Sequence, residues 1–410
     1  MVESELHACM QAIGAVLIDG PKAVGKTSTA AQVGQTVLRM DIDRAVRAAL
    51  DIQPDQLFSM PTPIVFDEWQ ETPELWNLVR RAVDDHPGKG LYLLTGSSRP
   101  RDDARVHSGA GRIGRLRMRP MSLLETGHSS GQVSLGGLLE GETPDGKAEA
   151  LTVPDLLERI VVGGWPDLLD AGEREARTWL GDYRRTIAAV DVPGLGTRRN
   201  PGNIQRLLAS LARGESTALN QSALAADIGG VQGPIAPQTL TNYLDALDRL
   251  MLIEPLPAWH PHMRSRTRLR TTPVHHFVDP SLGVSAVGVG VDGLLQDLEA
   301  AGLQFESLVI RDLRIYCQGL GATLSSWRDS QTGAEVDVVL ELPDGRWAGI
   351  EIKLGEAAVD SAATSLLRFA AKIDKARHGE PAALIVLTGG RFSYRRADGV
   401  DVLPITALGP

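Results

Sequence analysis

The stretch "AVLIDGPKAVGKTSTA", residues 15–30, constrains this chain more than any other. An apolar run leads into Gly-x-x-x-x-Gly-Lys-Thr and then into residues that suit a helix, the order a phosphate-cradling loop requires. Gly20 and Gly25 permit the tight turn, and the loop's backbone N–H groups can point at phosphate oxygens. The expected nucleotide contacts are Gly20, Pro21, Lys22, Ala23, Val24, Gly25, Lys26, Thr27 and Ser28. Lys26 is expected on the β- and γ-phosphates and Thr27 on Mg²⁺, with the positive end of the following helix aimed at the same anion.

Two further apolar runs end in polar residues. "PIVFDEWQE" closes on Asp67 and Glu68, an acid for the metal followed by one that orients or deprotonates the attacking water. "LYLLTGSSRP" closes on Thr95, Gly96, Ser97 and Ser98, hydroxyls suited to a γ-phosphate, to the attacking water, or simply to a turn. Short buried runs alternating with helical stretches from Ala12 to about Gly127 predict a parallel α/β sheet with its ligands at the strand C-termini. Together the loop and the acids favour ATP hydrolysis with Mg²⁺ over passive binding.

The remaining chain is long. At 410 residues it is expected to divide into two to four domains. A net charge of −9 argues against a surface uniformly coated for nucleic acid, though not against a local basic patch. Cys9 and Cys317 stand far apart without metal-ligand spacing, which predicts a reducing, cytoplasmic setting. The opening residues do not read as a signal peptide, and no later apolar run approaches the length of a membrane span. Gly131–Gly146 reads as a loop or linker, and helical periodicity then dominates from Val153 to Ala258, broken near Gly194–Pro201. Within it, "ALNQSALAADIG" and "APQTLTNYLDALDRLMLIEPLPAW" predict helix, turn, helix and strand, with Leu240, Tyr243, Leu244 and Leu247 as the apolar face of the second helix.

The run "IDGPKAVGKTSTA … RMDIDRAVRAAL … PIVFDEWQETPELWNLVRRAVDDH … LYLLTGSSR … GAGRIGRLRMRPMSLLE" resembles the AAA-type ATPases of bacteria and archaea that carry a DUF4143 C-terminal half, over nearly the whole chain. Phe66 and Trp69 depart from the smaller residues more usual beside those acids. The resemblance implies that the arginine of the "GR" pair upstream of "PMSLLE", here Arg112 with Arg115 close behind, is either an arginine finger supplied to a neighbouring subunit or a structural ion pair. It also implies a winged-helix-like segment near Leu219–Thr272. There Gln238, Thr239, Thr241 and Asn242 either approach nucleic acid or merely cap a packing module.

Two C-terminal features carry chemistry of their own. In "MRSRTRLRT", Arg264, Arg266, Arg268 and Arg270 alternate, so a strand would project all four from one face toward nucleic-acid phosphate or an acidic protein patch. In "GAEVDVVLELPDGRWAGIEIKLG", Asp337, Glu351 and Lys353 interrupt two apolar strands, and period two puts Glu351 and Lys353 on one face. Two carboxylates beside a lysine can hold Mg²⁺ and activate a water at a scissile phosphate. The pattern resembles that of PD-(D/E)xK nucleases, which implies a further acid on a preceding helix, here Glu306. Active members often carry Gln or Tyr on the helix after the third strand, and "VDSAATSLLRFAAKIDKAR" has neither. The alternative is a hairpin kept for structure or binding.

The expected fold class is therefore α/β: a P-loop parallel-sheet ATPase domain over residues 1–130, a linker and helical region over 131–200, a winged-helix-like region over 201–275, and an α/β nuclease-like domain over 276–410. The expected function is ATP binding and hydrolysis with Mg²⁺ that drives or gates the C-terminal effector. The alternatives are an ATP-regulated, Mg²⁺-dependent DNA nuclease and a nucleotide-switched DNA- or protein-binding module. Expected partners are nucleotide, DNA, and either further copies of the chain or another protein, with no membrane.

Overall fold

A computed structural model describes residues 2–97, 109–147, 151–195, 199–260, 271–329 and 331–410. The chain forms two compact units, one comprising Met1–Arg119, Asp191–Arg198 and Asp245–Leu252, the other Pro120–Val190, Arg199–Leu244 and Ile253–Pro410.

The first unit is built on a five-stranded sheet. Helix α1 (Val2–Ala12) precedes β1 (Ala15–Asp19), and α2 (Lys26–Val33) follows the glycine-rich loop. Then come β2 (Thr36–Arg39), α3 (Arg44–Ile52), α4 (Pro54–Phe58), β3 (Ile64–Asp67), α5 (Leu75–Asp85), β4 (Tyr92–Gly96) and β5 (Ile113–Arg117). The strand order is β2-β3-β4-β1-β5, with every pairing parallel. The three strands expected from the sequence are β1, β3 and β4, each buried at every residue. Helix α3 begins where Asp43 accepts the N–H groups of Ala45 (3.0 Å) and Val46 (3.1 Å), and it packs Val46 and Leu50 inward. Phe66 and Trp69 lie in the core with Phe58, Trp76 and Tyr92, so their bulk is spent on packing beside the acids.

The second unit combines helices with a seven-stranded sheet. Its elements begin with β6 (Val133–Ser134), α6 (Leu135–Leu139), β7 (Gly146–Lys147), α7 (Val153–Val162), α8 (Glu173–Thr186), α9 (Pro201–Arg213), α10 (Gln221–Gly229) and α11 (Pro237–Arg249), whose last residues belong to the first unit. There follow α12 (Pro280–Val287), α13 (Val291–Gln296), α14 (Leu298–Leu320), β8 (Thr323–Arg328), β9 (Glu335–Glu341), β10 (Trp347–Lys353) and α15 (Val359–Lys372). The last are β11 (Ala383–Thr388), β12 (Phe392–Arg395), β13 (Asp401–Pro404) and β14 (Leu408–Gly409). The sheet runs β7-β12-β13-β11-β10-β9-β8. Strands β8, β9 and β10 are antiparallel neighbours, and β11 lies parallel to β10. Helix α15 covers these strands through Ala362, Leu366 and Phe369, against Trp347 and Val386.

Three details differ from the sequence expectation. Gly131–Gly146 is not a plain linker, because β6 pairs with β14 and β7 pairs with β12. Val133 is buried there despite glycine-rich surroundings. The residues directly after α11, up to 260, form no extended strand but isolated bridges, of Ile253 with Phe277, Leu256 with Val274 and Ala258 with Ser326. On α11, Leu240, Tyr243 and Leu247 are buried, whereas Leu244 is only half-buried. The arginines Arg264, Arg266, Arg268 and Arg270, like Ser98, lie outside the described residues.

Candidate active sites

The nucleotide loop is shaped by close approach. A Cβ on Gly20 would stand 2.4 Å from the carbonyl oxygen of Met118, and Gly25 takes a φ of 89°, so both glycines are required by the backbone path. Lys26, itself buried, donates to the carbonyls of Gly20 (3.0 Å) and Pro21 (2.7 Å). Burial lowers its pKa to about 8, against the opposing pull of the Glu68 and Asp67 carboxylates. A phosphate arriving beside it would raise that pKa again by the same electrostatics.

The strand-end acids converge on this loop. The Thr27 hydroxyl donates to Asp67 at 2.7 Å, and the Thr95 hydroxyl donates to the same oxygen at 2.5 Å. Glu68 holds a left-handed φ of 52°, its N–H donates to Thr95 (3.3 Å), and its carboxylate accepts from Ser97 (3.4 Å) and from Gln70. Thr27 and Asp67 thus present a hydroxyl and a carboxylate together, the hard oxygen donors that Mg²⁺ prefers. The chemistry of this donor set fits the ion expected from the sequence. Gln70 had no signal of its own in the sequence, since a Gln two residues beyond an acid carries no motif.

Arg112 takes a different place. Strands β1 and β5 run parallel, pairing Ala15 with Ile113 and Asp19 with Arg117. Arg112 therefore stands at the start of β5, about 16 Å of strand away from the end that meets the loop, and it pairs with Asp84 of α5 at 2.9 Å. Arg115 projects to solvent midway along the strand. Of Arg112, Arg115 and Arg117, it is Arg117 that stands at the loop end of β5, in register with Asp19.

In the second unit, the four polar residues expected from the sequence also come together. Lys353 on β10 lies 2.9 Å from Asp337 on β9 and 2.7 Å from Glu351, two residues before it. The Asp337 carboxylate also accepts the backbone N–H of Ile352 at 2.8 Å. Burial and then the Asp337 charge push the Glu351 carboxyl up to about 7, against the Lys353 ammonium. Burial also acts to lower Lys353, but Asp337 and Glu351 outweigh it and raise it above the ordinary lysine range. Glu306 on α14 is raised well above its ordinary range, first by burial and then by Asp337. With Asp337 it lines a cleft of about 660 Å³, whose walls include Trp259 and Trp327. Among the described residues no group of three or more His, Cys, Asp or Glu side chains is arranged to hold a metal, and Lys353 stands between the two carboxylates that would do so. Helix α14 is fixed by Arg311, which pairs with Asp279 (2.8 Å) and Asp312 (2.7 Å) in full burial.

Comparison with known proteins matches three successive regions to described families. Residues 13–127 match the model of an AAA domain, 153–292 a domain of unknown function, DUF8612, and 301–408 another, DUF4143. Uncharacterized proteins of Mycobacterium tuberculosis and Mycobacterium bovis are each 25% identical over 354 residues, covering 85% of this chain and 72% of theirs. Among solved structures, the Walker-type ATPase PABY2304 of Pyrococcus abyssi aligns with 70% of this chain and 94% of its own at 14% identity and a TM-score of 0.43. A mutant of Thermotoga maritima RuvB aligns with 62% of this chain and 89% of its own at 16% identity and a TM-score of 0.29. No described helix is long and apolar enough to cross a membrane. The chain thus carries a region similar to AAA domains over residues 13–127, which holds the glycine-rich loop, and a region similar to DUF4143 over residues 301–408.

Proposed function

We propose that this protein binds ATP with Mg²⁺ at the loop Gly20–Ser28 and hydrolyses it to drive or gate its C-terminal region. The observation that carries the reading is the 2.7 Å hydrogen bond from Thr27 to Asp67. It joins the loop hydroxyl to the strand-end acid, the two groups that hold Mg²⁺ in P-loop enzymes. In this reading Lys26 binds the β- and γ-phosphates, Thr27 and Asp67 would hold Mg²⁺, which would supply neutralisation of phosphate charge, and Glu68 orients the attacking water. Ser97 and Gln70 hold the Glu68 carboxylate, and Thr95 holds its backbone N–H. Arg112, pointing away from its own loop, acts as a finger only on the nucleotide of a neighbouring copy. The test is Lys26→Ala: turnover is expected to fall by a factor of ~10² or more, and wild-type turnover by this variant would sink the assignment.

A second reading, favoured by the meeting of Asp337, Glu351, Lys353 and Glu306, makes the C-terminal region a Mg²⁺-dependent DNA nuclease under ATP control. The run α14-β8-β9-β10-α15-β11 places these residues on a helix and two neighbouring strands. Metal binding in this reading requires Lys353 to release at least one carboxylate. Plasmid incubated with Mg²⁺ or Mn²⁺, with and without ATP, decides the matter. Cleavage abolished by Asp337→Ala and by Lys353→Ala supports the nuclease. The absence of cleavage, with salt-sensitive DNA binding lost on changing Arg266 and Arg268, supports the nucleotide-switched binding module instead, with the α10–α11 helices and the arginine segment as its contacts.

A further inference from the structure

One buried carboxylate runs against the charge that the nucleotide loop is built to hold. Asp19 closes β1 immediately before Gly20, its side chain 8% exposed, close enough to Lys26 to act on that ammonium. A bare carboxylate there would repel an arriving triphosphate through a poorly screened medium. Arg117 meets it from the end of β5, with Nε 2.8 Å from Oδ1 and Nη2 3.3 Å from Oδ2, a forked pair that fixes both partners. The neighbouring Met118 N–H donates to the Asp19 carbonyl at 2.7 Å, and the Met118 carbonyl is the group that leaves Gly20 no room for a Cβ. The end of β5 is therefore braced against Asp19, the residue that leads into the loop, by one ion pair and one backbone bond.

We propose that Arg117 is a positioning residue of the nucleotide site, neutralising Asp19 and bracing β5 against Gly20 so that the loop meets phosphate with its positive charge uncancelled. This rests on the reading of the loop as an ATP site. It assigns a role to an arginine that no motif marks, and it separates that role from Arg112 at the opposite end of the same strand.

Binding of mant-ATP and mant-ADP to the full chain tests it. Arg117→Ala leaves Asp19 buried and unpaired. It is expected to raise the Kd for mant-ATP about tenfold or more, and the Kd for mant-ADP by less, because ADP carries less negative charge. Adding Asp19→Asn to Arg117→Ala removes the unpaired charge and is expected to return mant-ATP affinity to within about threefold of wild type. Circular dichroism reports whether each variant is folded. Wild-type affinity in Arg117→Ala overturns the proposal, as does an equal loss for both nucleotides that Asp19→Asn does not repair, which marks a purely structural pair. If the wild-type protein itself binds no mant-ATP, the ATP reading fails and this inference with it, so the two failures are told apart.

Discussion

Between β9 and β10 a lysine occupies the space that two carboxylates would otherwise offer to a cation. The pairing of Lys353 with Asp337 and Glu351 stabilises each partner against burial, since one charge left alone there would be strongly destabilising. For Glu306 the Lys353 ammonium offsets only part of the cost of burial. Burial, followed by the Asp337 charge, raises its pKa well above the ordinary value, so the folded protein keeps a proton that the unfolded chain gives up near pH ~4.3. Where the folded state binds more protons, stability falls as pH rises, from the unfolded pKa up to the folded one. Glu306→Gln removes this titration while keeping the shape of the neutral acid. Its melting temperature relative to wild type is expected to rise between about pH 5 and about pH 8. An offset that is the same at both pH values would show that Glu306 titrates normally. The four residues were legible as chemistry because each is a charge set in an apolar run or beside one. That Lys353 lies between the carboxylates was not legible, because side-chain direction at a strand end depends on what the neighbouring strand presents. The Asp19–Arg117 pair was hidden for a related reason: its members stand 98 residues apart and are joined only by the β1–β5 pairing.

At the scale of elements, burial decides what a sequence reveals. Strands β1, β3 and β4 are buried at every residue and appear in the sequence as unbroken apolar runs ending in polar residues. Strands β2 and β5 occupy the edges of the same sheet, where one side is open. "TVLR" buries only Leu38, and "IGRLR" buries only Ile113 and Leu116, so neither reads as a strand by itself. The segment 131–146 misleads in the opposite direction. Its glycines and serines suggest a linker, yet two two-residue strands tie it to β12 and β14, held by backbone bonds that carry no side-chain signature. Helix α11 was legible through Leu240, Tyr243 and Leu247 because a buried stripe at helical spacing depends little on which partner covers it. The path of the chain beyond α11 depends on bridges between distant residues, and these leave no periodic trace.

At the scale of the molecule, the parallel register of β1 and β5 bears on how many copies make an active site. Register puts Arg117 at the loop end of β5 and Arg112 at the other end, where Asp84 neutralises it on the surface. A finger at that position has no path to its own γ-phosphate, so it serves catalysis only by leaving Asp84 for the nucleotide of an adjacent copy. Such an arrangement predicts complementation. Arg112→Ala alone is expected to lower turnover by a factor of ~10³ or more while leaving mant-ATP binding intact. Lys26→Ala alone is expected to bind no nucleotide. In a mixed assembly the Arg112→Ala copies still hold ATP, and the Lys26→Ala copies still present Arg112. Random equal mixing then pairs an intact loop with an intact neighbouring arginine at about a quarter of the interfaces. Turnover well above that of either variant alone is the expected result. An Arg112→Ala protein that hydrolyses ATP at the wild-type rate would reduce Arg112 to the surface ion pair it makes with Asp84, and a mixture no more active than its parts would confine the active site to a single copy.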